Sequence, residues 1–183
     1  REYIDDVDAV LCIFYPGQEG GRAMAEALLG EINPSGKLPL TFPKRYEDVP
    51  SSTNFPGRNM EVWYAEGIFV GYRWYDYRNI EPLFPFGYGL SYTTFEILDA
   101  KLSRDVLNYE NGDTVELSVT IKNTGKLAGK EVVQIYIGQE NPTLVKPPKE
   151  LKDFMKVELQ PGQSKTVTFT LDGLMLRSYD EEI

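Results

Sequence analysis

Apolar positions run almost without interruption through residues 7–15, the pattern of a strand buried on both faces. Pro16-Gly17 stops the run. Gly20-Gly21 then opens Arg22-Ala23-Met24-Ala25-Glu26-Ala27-Leu28-Leu29, in which Ala23, Met24, Ala27 and Leu28 share one helical face. Good helix formers fill this stretch, and Gly30 stands where a C-terminal cap belongs. A strand, a glycine turn and a helix in this order predict a unit of a mostly parallel sheet with helices on its faces.

The next stretch is less regular. Asn33-Pro34-Ser35-Gly36 is a turn signal, and residues 37–43 read as a short strand whose prolines place it at an edge. Residues 43–61 are rich in Pro, Ser, Asn and charge and read as an irregular surface segment. Residues 61–77 alternate weakly and are crowded with aromatics: Trp63, Tyr64, Phe69, Tyr72, Trp74, Tyr75 and Tyr77. Residues 82–92 mix two prolines and two glycines with aromatics, which predicts a packed, rigid loop.

From Phe95 the period changes to two. Val115, Leu117, Val119 and Ile121 alternate with polar residues, as do Val133, Ile135 and Ile137, and then Val167, Phe169 and Leu171. Asn111-Gly112-Asp113, Asn123-Thr124-Gly125 and Pro161-Gly162 supply turns. Such strands predict a β-sandwich of the immunoglobulin or fibronectin type III class. No clear strand follows Leu171, so the final edge strand is expected to be absent. Residues 139–149 hold three prolines and read either as an ordinary surface loop or as a segment that leans on another domain.

Composition narrows the chemistry. The 183 residues contain no histidine, which excludes a Ser-His-Asp triad, a Cys-His dyad and His-ligated zinc or haem. The single cysteine, Cys12, cannot form an intramolecular disulfide and lies in the apolar run, where a buried, inert thiol is expected. Acid–base work is left to Asp, Glu, Tyr or Lys. The 28 acidic side chains outnumber 19 basic ones, for a net charge of −9, which argues against a nucleic-acid partner and against an anionic membrane surface. No apolar run approaches the ~20 residues that span a bilayer. The start, Arg1-Glu2-Tyr3-Ile4, lacks an initiator Met and is not a signal peptide, so the chain reads as processed, trimmed or part of something longer.

Several motifs then coincide in order: Pro16-Gly17-Gln18-Glu19-Gly20-Gly21, Leu29-Gly30, Asn33-Pro34-Ser35-Gly36-Lys37-Leu38-Pro39, Tyr64-Ala65-Glu66-Gly67-Ile68-Phe69-Val70-Gly71-Tyr72-Arg73-Trp74-Tyr75-Asp76, Phe84-Pro85-Phe86-Gly87-Tyr88-Gly89-Leu90-Ser91-Tyr92-Thr93-Thr94-Phe95, Asn123-Thr124-Gly125 and Pro148-Lys149-Glu150-Leu151-Lys152-Asp153-Phe154. The series resembles the C-terminal portion of glycoside hydrolase family 3, the β-glucosidase family. That resemblance implies a TIM-type barrel, then an α/β sandwich domain, then in many members a fibronectin type III-like domain. Residues 1–94 would be the C-terminal part of the α/β sandwich domain, and residues 95–183 the fibronectin type III-like domain.

Such enzymes are retaining glycosidases, which work with two carboxyl groups about 5–5.5 Å apart. The resemblance puts the nucleophile, an Asp in a Ser-Asp-Trp-like motif, on the barrel, and the acid/base Glu upstream of Arg1. No Ser-Asp-Trp occurs here. No catalytic, cofactor-binding or metal residue is therefore assigned, and no cofactor is expected. The expected partners are the remainder of the parent enzyme and an oligosaccharide or glycoside substrate. The alternative is a non-catalytic carbohydrate-binding or partner-docking module.

Some side chains carry two readings. Glu19 is either a ligand-facing carboxylate or a helix cap that answers exposed N–H groups. Glu66 and Asp76 are either a carboxylate dyad or structural, with Asp76 paired to Arg73 or Arg78. The aromatics of residues 63–92 are either a sugar-stacking platform or a seam between domains. Half of a parallel sheet also leaves an open edge and a bare apolar face, which invites aggregation.

Overall fold

A computed structural model describes residues 4–180. Helix α1 spans Gly20–Leu28. It ends as its glycine requires: Gly30 adopts φ +78°, the Gly30 N–H bonds the Ala27 carbonyl at 3.1 Å, and the Glu31 N–H bonds that of Glu26 at 2.8 Å. These are the two bonds of a Schellman cap, which a residue with a Cβ would form only under strain.

Residues 7–15 run alongside α1 and pair with no strand among the described residues. The burial expected on both faces is not found. Val10, Leu11, Ile13 and Phe14 are exposed, and so is Cys12, contrary to the buried thiol expected for it. The reason is the same for all of them: α1 lies on one side, and nothing described covers the other.

Residues 37–43 do not form the strand that their pattern predicts. Leu38 exchanges backbone bonds with Gly87 and Tyr88, each at 2.8 Å, and Phe42 makes an isolated bridge to Phe84. Pro39, Pro43 and Pro85 cannot donate to a ladder, so the pairing stays interrupted. The weak alternation of residues 61–77 gives way to helix α2, Tyr72–Arg78. Gly71 opens it at φ +58°, and Asn79 closes it in the left-handed region.

Among the described residues, five strands build the β half: β1 Phe95–Leu102, β2 Thr114–Asn123, β3 Gly129–Ile137, β4 Glu150–Leu159 and β5 Ser164–Asp172. One antiparallel sheet has the order β1-β2-β5, and the other pairs β3 with β4. A seven-strand sandwich is the complete form of this architecture, and no strand follows Asp172 among the described residues. β1 and β4 were not legible as strands. Each contains a register irregularity, between Ile97 and Asp99 on β1 and opposite Ile135 and Tyr136 on β4, which breaks the period of two. The core comprises Val119, Ile121, Val133, Ile135, Val157, Leu159, Val167 and Phe169.

Asn123 closes one end of this core. It was read as a turn residue, yet it is the last residue of β2 and fully buried. Its Nδ2 donates to the carbonyls of Leu127 at 2.8 Å and Leu159 at 3.1 Å. Its Oδ1 accepts from the Thr93 hydroxyl at 2.8 Å and the Gly125 N–H at 3.0 Å. Its backbone bonds Gln163 and Gly162. One side chain thus joins the entry to β1, the β2–β3 turn and the end of β4. A buried group left unpaired costs about 1–3 kcal/mol. Asn123→Ala is expected to lower unfolding free energy by about 3 kcal/mol in urea titrations, since two carbonyls, a hydroxyl and the Gly125 N–H lose their partner. Exposed Thr124→Ala should stay within about 0.5 kcal/mol of the parent.

Candidate functional site

The second sheet is covered on both faces. Val133 and Ile135 point into the sandwich core. Gln134 and Tyr136, the alternate residues of β3, meet the α/β half instead. Tyr136 Oη donates to Gln134 Oε1 at 2.8 Å, and Gln134 Nε2 donates to the Gly87 carbonyl at 3.0 Å. The Tyr72 ring stacks on Phe86 at 4.8 Å and meets the Tyr136 ring edge-on at 5.8 Å. Tyr72 Oη accepts the Leu151 N–H at 2.7 Å, so α2 is pinned to β4. Burial, with Tyr72 and Asp76 nearby, pushes the Tyr136 phenol above its ordinary pKa.

A second set of polar contacts surrounds Asn33, in the turn after α1. Its Oδ1 accepts from Ser91 Oγ and the Tyr92 N–H, both at 2.8 Å, and its Nδ2 donates to the Ala128 carbonyl at 2.9 Å. Gly129 lies in the same crowd. A Cβ there would stand 2.8 Å from Thr93 Cγ2 and 2.9 Å from Asn33 Nδ2, so the close approach admits only glycine. Ion pairs complete the seam: Lys37 with Glu131 at 2.7 Å, Arg73 with Glu150 at 3.2 Å and Lys149 with Asp76 at 3.2 Å.

These contacts decide several of the open readings. Asp76 pairs with Lys149, not with Arg73 or Arg78. Lys149 belongs to the loop of residues 139–149, so that loop takes part in the seam. Asp76 Oδ2, Glu66 Oε2 and Arg73 Nε are buried without an aligned hydrogen bond. Glu19 occupies the cap position of α1, but its carboxylate makes no cap hydrogen bond; the contact there is its backbone carbonyl, which accepts from Ala23 N–H at 3.0 Å. The aromatics divide. Tyr72, Tyr75 and Phe86 pack inside, whereas Trp63 and Tyr64 are exposed, with Trp63 Nε1 donating to Glu61 Oε2 at 3.3 Å. No group of three or more potential metal ligands occurs among the described residues.

From the sequence Asn33 was read only as a turn and motif residue and Lys149 only within a motif and the 139–149 loop, and Gln134 and Tyr136 were not singled out. The available signal was the period of two on β3. It separates Gln134 and Tyr136 from the core row, and reads the same whether their face meets water or protein.

The surface hollows formed by the described residues include two of note. A cleft of about 520 Å³ is lined by Tyr75, Asp76, Asn79, Ile80, Glu81, Pro148 and Lys149. An apolar hollow of about 230 Å³ lies between residues 11–16 and α1, lined by Leu11, Ile13, Ala23, Met24 and Ala27 among others.

Comparison with known proteins places this geometry. The model of the glycosyl hydrolase family 3 C-terminal domain matches residues 2–72, and that of the fibronectin type III-like domain matches residues 131–183. Thermostable beta-glucosidase B of Acetivibrio thermocellus is 50% identical over 181 residues, covering 99% of this chain and 24% of that protein. Beta-glucosidase B of Emericella nidulans is 44% identical, covering 98% of this chain and 22% of its own length. The structure of beta-glucosidase 3B from Thermotoga neapolitana in complex with glucose superposes with a TM-score of 0.89 at 47% identity, over 98% of this chain and 25% of that one. The chain spans about a quarter of the length of the curated relatives it matches.

Acid sensitivity of the α/β half is expected at Asp48, whose side chain is buried. Asp48 accepts from the Arg45 guanidinium at 2.9 Å, and its carbonyl accepts from Trp74 Nε1 at 3.1 Å. The Arg45 hydrogen bond holds its carboxyl below the usual range. A lowered folded pKa contributes stability above the unfolded value of about 3.9, and this is lost as pH falls through the folded value. The difference in thermal midpoint between the parent and Asp48→Asn should be largest near neutrality and shrink below about pH 4. A pH-independent difference would contradict this assignment.

Proposed function

Because this chain belongs to the C-terminal portion of glycoside hydrolase family 3, we propose that it is the supporting, non-catalytic part of a retaining β-glucosidase-like exo-glycosidase that hydrolyses terminal β-linked sugars. The observation that carries this reading is the lopsided match. Identity reaches 50% over 99% of the chain, yet only 24% of the relative's length is involved. In this reading residues 1–94 complete an α/β sandwich domain, residues 95–183 form the fibronectin type III-like domain, and no catalytic residue lies in the chain.

The physical role follows from what the chain leaves bare. The apolar residues of the 7–15 segment and the hollow beside α1 are surfaces that water disfavours. The rest of the parent enzyme, with a TIM-type barrel and the first half of the α/β domain, is the partner that covers them. The seam with β3 and β4 then holds the α/β half in one shape while that partner docks.

A carbohydrate-binding module is the second reading. The exposed Trp63 and Tyr64 beside Glu61 favour it, since aromatic faces next to a carboxylate suit sugar rings.

Residues 1–183 alone should not turn over an aryl β-glucoside, and activity should return when the remainder of the parent enzyme is supplied. Calorimetric titration with cellobiose should give no saturable heat. Turnover by the chain alone would overturn the supporting role, and saturable binding would move the assignment to the second reading.

A further inference from the structure

The contacts that tie the first 94 residues to the sandwich are unevenly distributed along the chain. Residues 37–43 and 83–92 form an irregular layer. The Leu38 N–H bonds the Tyr88 carbonyl and the Gly87 N–H bonds the Leu38 carbonyl, each at 2.8 Å. Phe42 bridges Phe84, and the Phe84 ring stacks on Tyr88 at 5.6 Å. This layer is fastened to the β3–β4 sheet at separate points. Ser35 Oγ accepts from Lys156 Nζ at 3.1 Å. Lys37 pairs with Glu131 while its Nζ donates to the Gly89 carbonyl at 2.6 Å. Gln134 donates to the Gly87 carbonyl, and Gly87 lies so close to Gln134 Oε1 that a Cβ has no room there. Helix α2 adds Tyr72 to Leu151, Arg73 to Glu150 and Asp76 to Lys149.

Residues 4–32 have almost none of this. Among the described residues, their one hydrogen bond to the rest of the chain runs from Tyr92 Oη to the Ala27 carbonyl at 2.9 Å. The Arg22–Glu26 ion pair stays within α1. Ala27 is the one buried apolar side chain of the segment, while Leu28 and Leu29 stand 71% and 76% exposed. A helix of nine residues is also well short of the ~12–15 at which isolated helices become even marginally stable.

Local stability follows buried contacts and not position in the sequence. Residues 33–43 and 72–94 share their contacts with β3 and β4, so they open only when the sandwich opens. Residues 4–32 can detach for one hydrogen bond and little buried area.

We propose that the chain divides energetically between Ile32 and Asn33, and not at residues 94–95. The sandwich, residues 33–43 and residues 72–94 unfold as one cooperative unit, and residues 4–32 are a flap that opens independently of it. The hinge is the turn that begins at Gly30, whose φ of +78° a residue with a Cβ resists. Asn33 anchors the sandwich side of that hinge through Ser91, Tyr92 and Ala128. The flap can therefore be re-seated against another body without loosening the seam. This division follows from contacts within the chain and does not rest on the glycosidase reading.

Native-state hydrogen exchange on the 183-residue chain, followed in rising urea, tests it. The Leu38, Phe42, Gly87 and Leu151 amides should merge with those of Val119 and Ile121 into a single unfolding unit. The Ala23 and Leu29 amides, bonded within α1, should exchange on the order of a hundredfold faster. Val119→Ala, deep in the sandwich core, should speed the Leu38, Phe42 and Gly87 amides by the same factor as Ile121, about tenfold or more, and leave the α1 rates unchanged. Leu38 and Phe42 amides that keep their parent rates in this variant would return the boundary to residue 94 and overturn the proposal. So would α1 amides that accelerate together with the core, since the chain would then be one unit throughout. The urea series on the parent needs no substitution and decides the same question: exchange of α1 at the free energy of the core defeats the flap.

Discussion

The structure depends on a relay of hydrogen bonds at the junction of its halves, buried at Asn123 and partly open toward Asn33. Asn33 Oδ1 accepts the Ser91 hydroxyl, Ser91 Oγ accepts the Thr93 N–H, and the Thr93 hydroxyl donates to Asn123 Oδ1. Asn123 Nδ2 then reaches Leu127 and Leu159, while Asn33 Nδ2 reaches Ala128. The relay closes on itself across a few residues of chain. At its buried end, around Asn123, each link is strengthened because its neighbours are also satisfied. It fixes where β1 begins and where the β2–β3 turn sits relative to the helix that precedes Asn33.

The remaining contacts between the halves are spread over a wider area and are individually modest. Lys37 with Glu131, Arg73 with Glu150 and Lys149 with Asp76 are partly exposed pairs, each worth about 0–1 kcal/mol. The stacked Tyr72, Phe86 and Tyr136 add apolar area and orientation. Ion pairs and rings thus set the angle at which β3 and β4 lie on α2, around a junction that the amides hold. A surface of this kind braces the α/β half while leaving its other side free to be covered.

That free side explains the contrast between the two halves. The sandwich has a real core of eight buried apolar residues. The α/β half buries few large apolar side chains among the described residues, with Tyr75 the main one. The apolar content of residues 7–15 has the composition of a core and the exposure of a surface. Such a mismatch is costly in water, and it is the physical reason to read this chain as one that works against a larger body.

The helix over Gly20–Leu28 with its glycine cap, three of the five strands, and the turn residues between them were set by local rules that need no neighbours: side-chain period, backbone freedom at Gly30, and missing donors at the prolines. The resemblance of the motif series to glycoside hydrolase family 3 was also readable in order along the chain. Tertiary structure alone decided the rest. α2 overrode the alternation of residues 61–77, because Gly71 and Asn79 could bound a helix whose Tyr72 had a seam to fill. The bulges in β1 and β4 broke the period that would have revealed those strands. Asn123 looked like a turn residue because an amide's pattern in sequence does not tell whether its partners are water or protein. Asp76 found Lys149 rather than its helical neighbours, since an ion pair forms with whichever charge the fold brings near. The polar face of β3 met another layer instead of solvent for the same reason: periodicity assigns side chains to faces, and only packing assigns faces to partners.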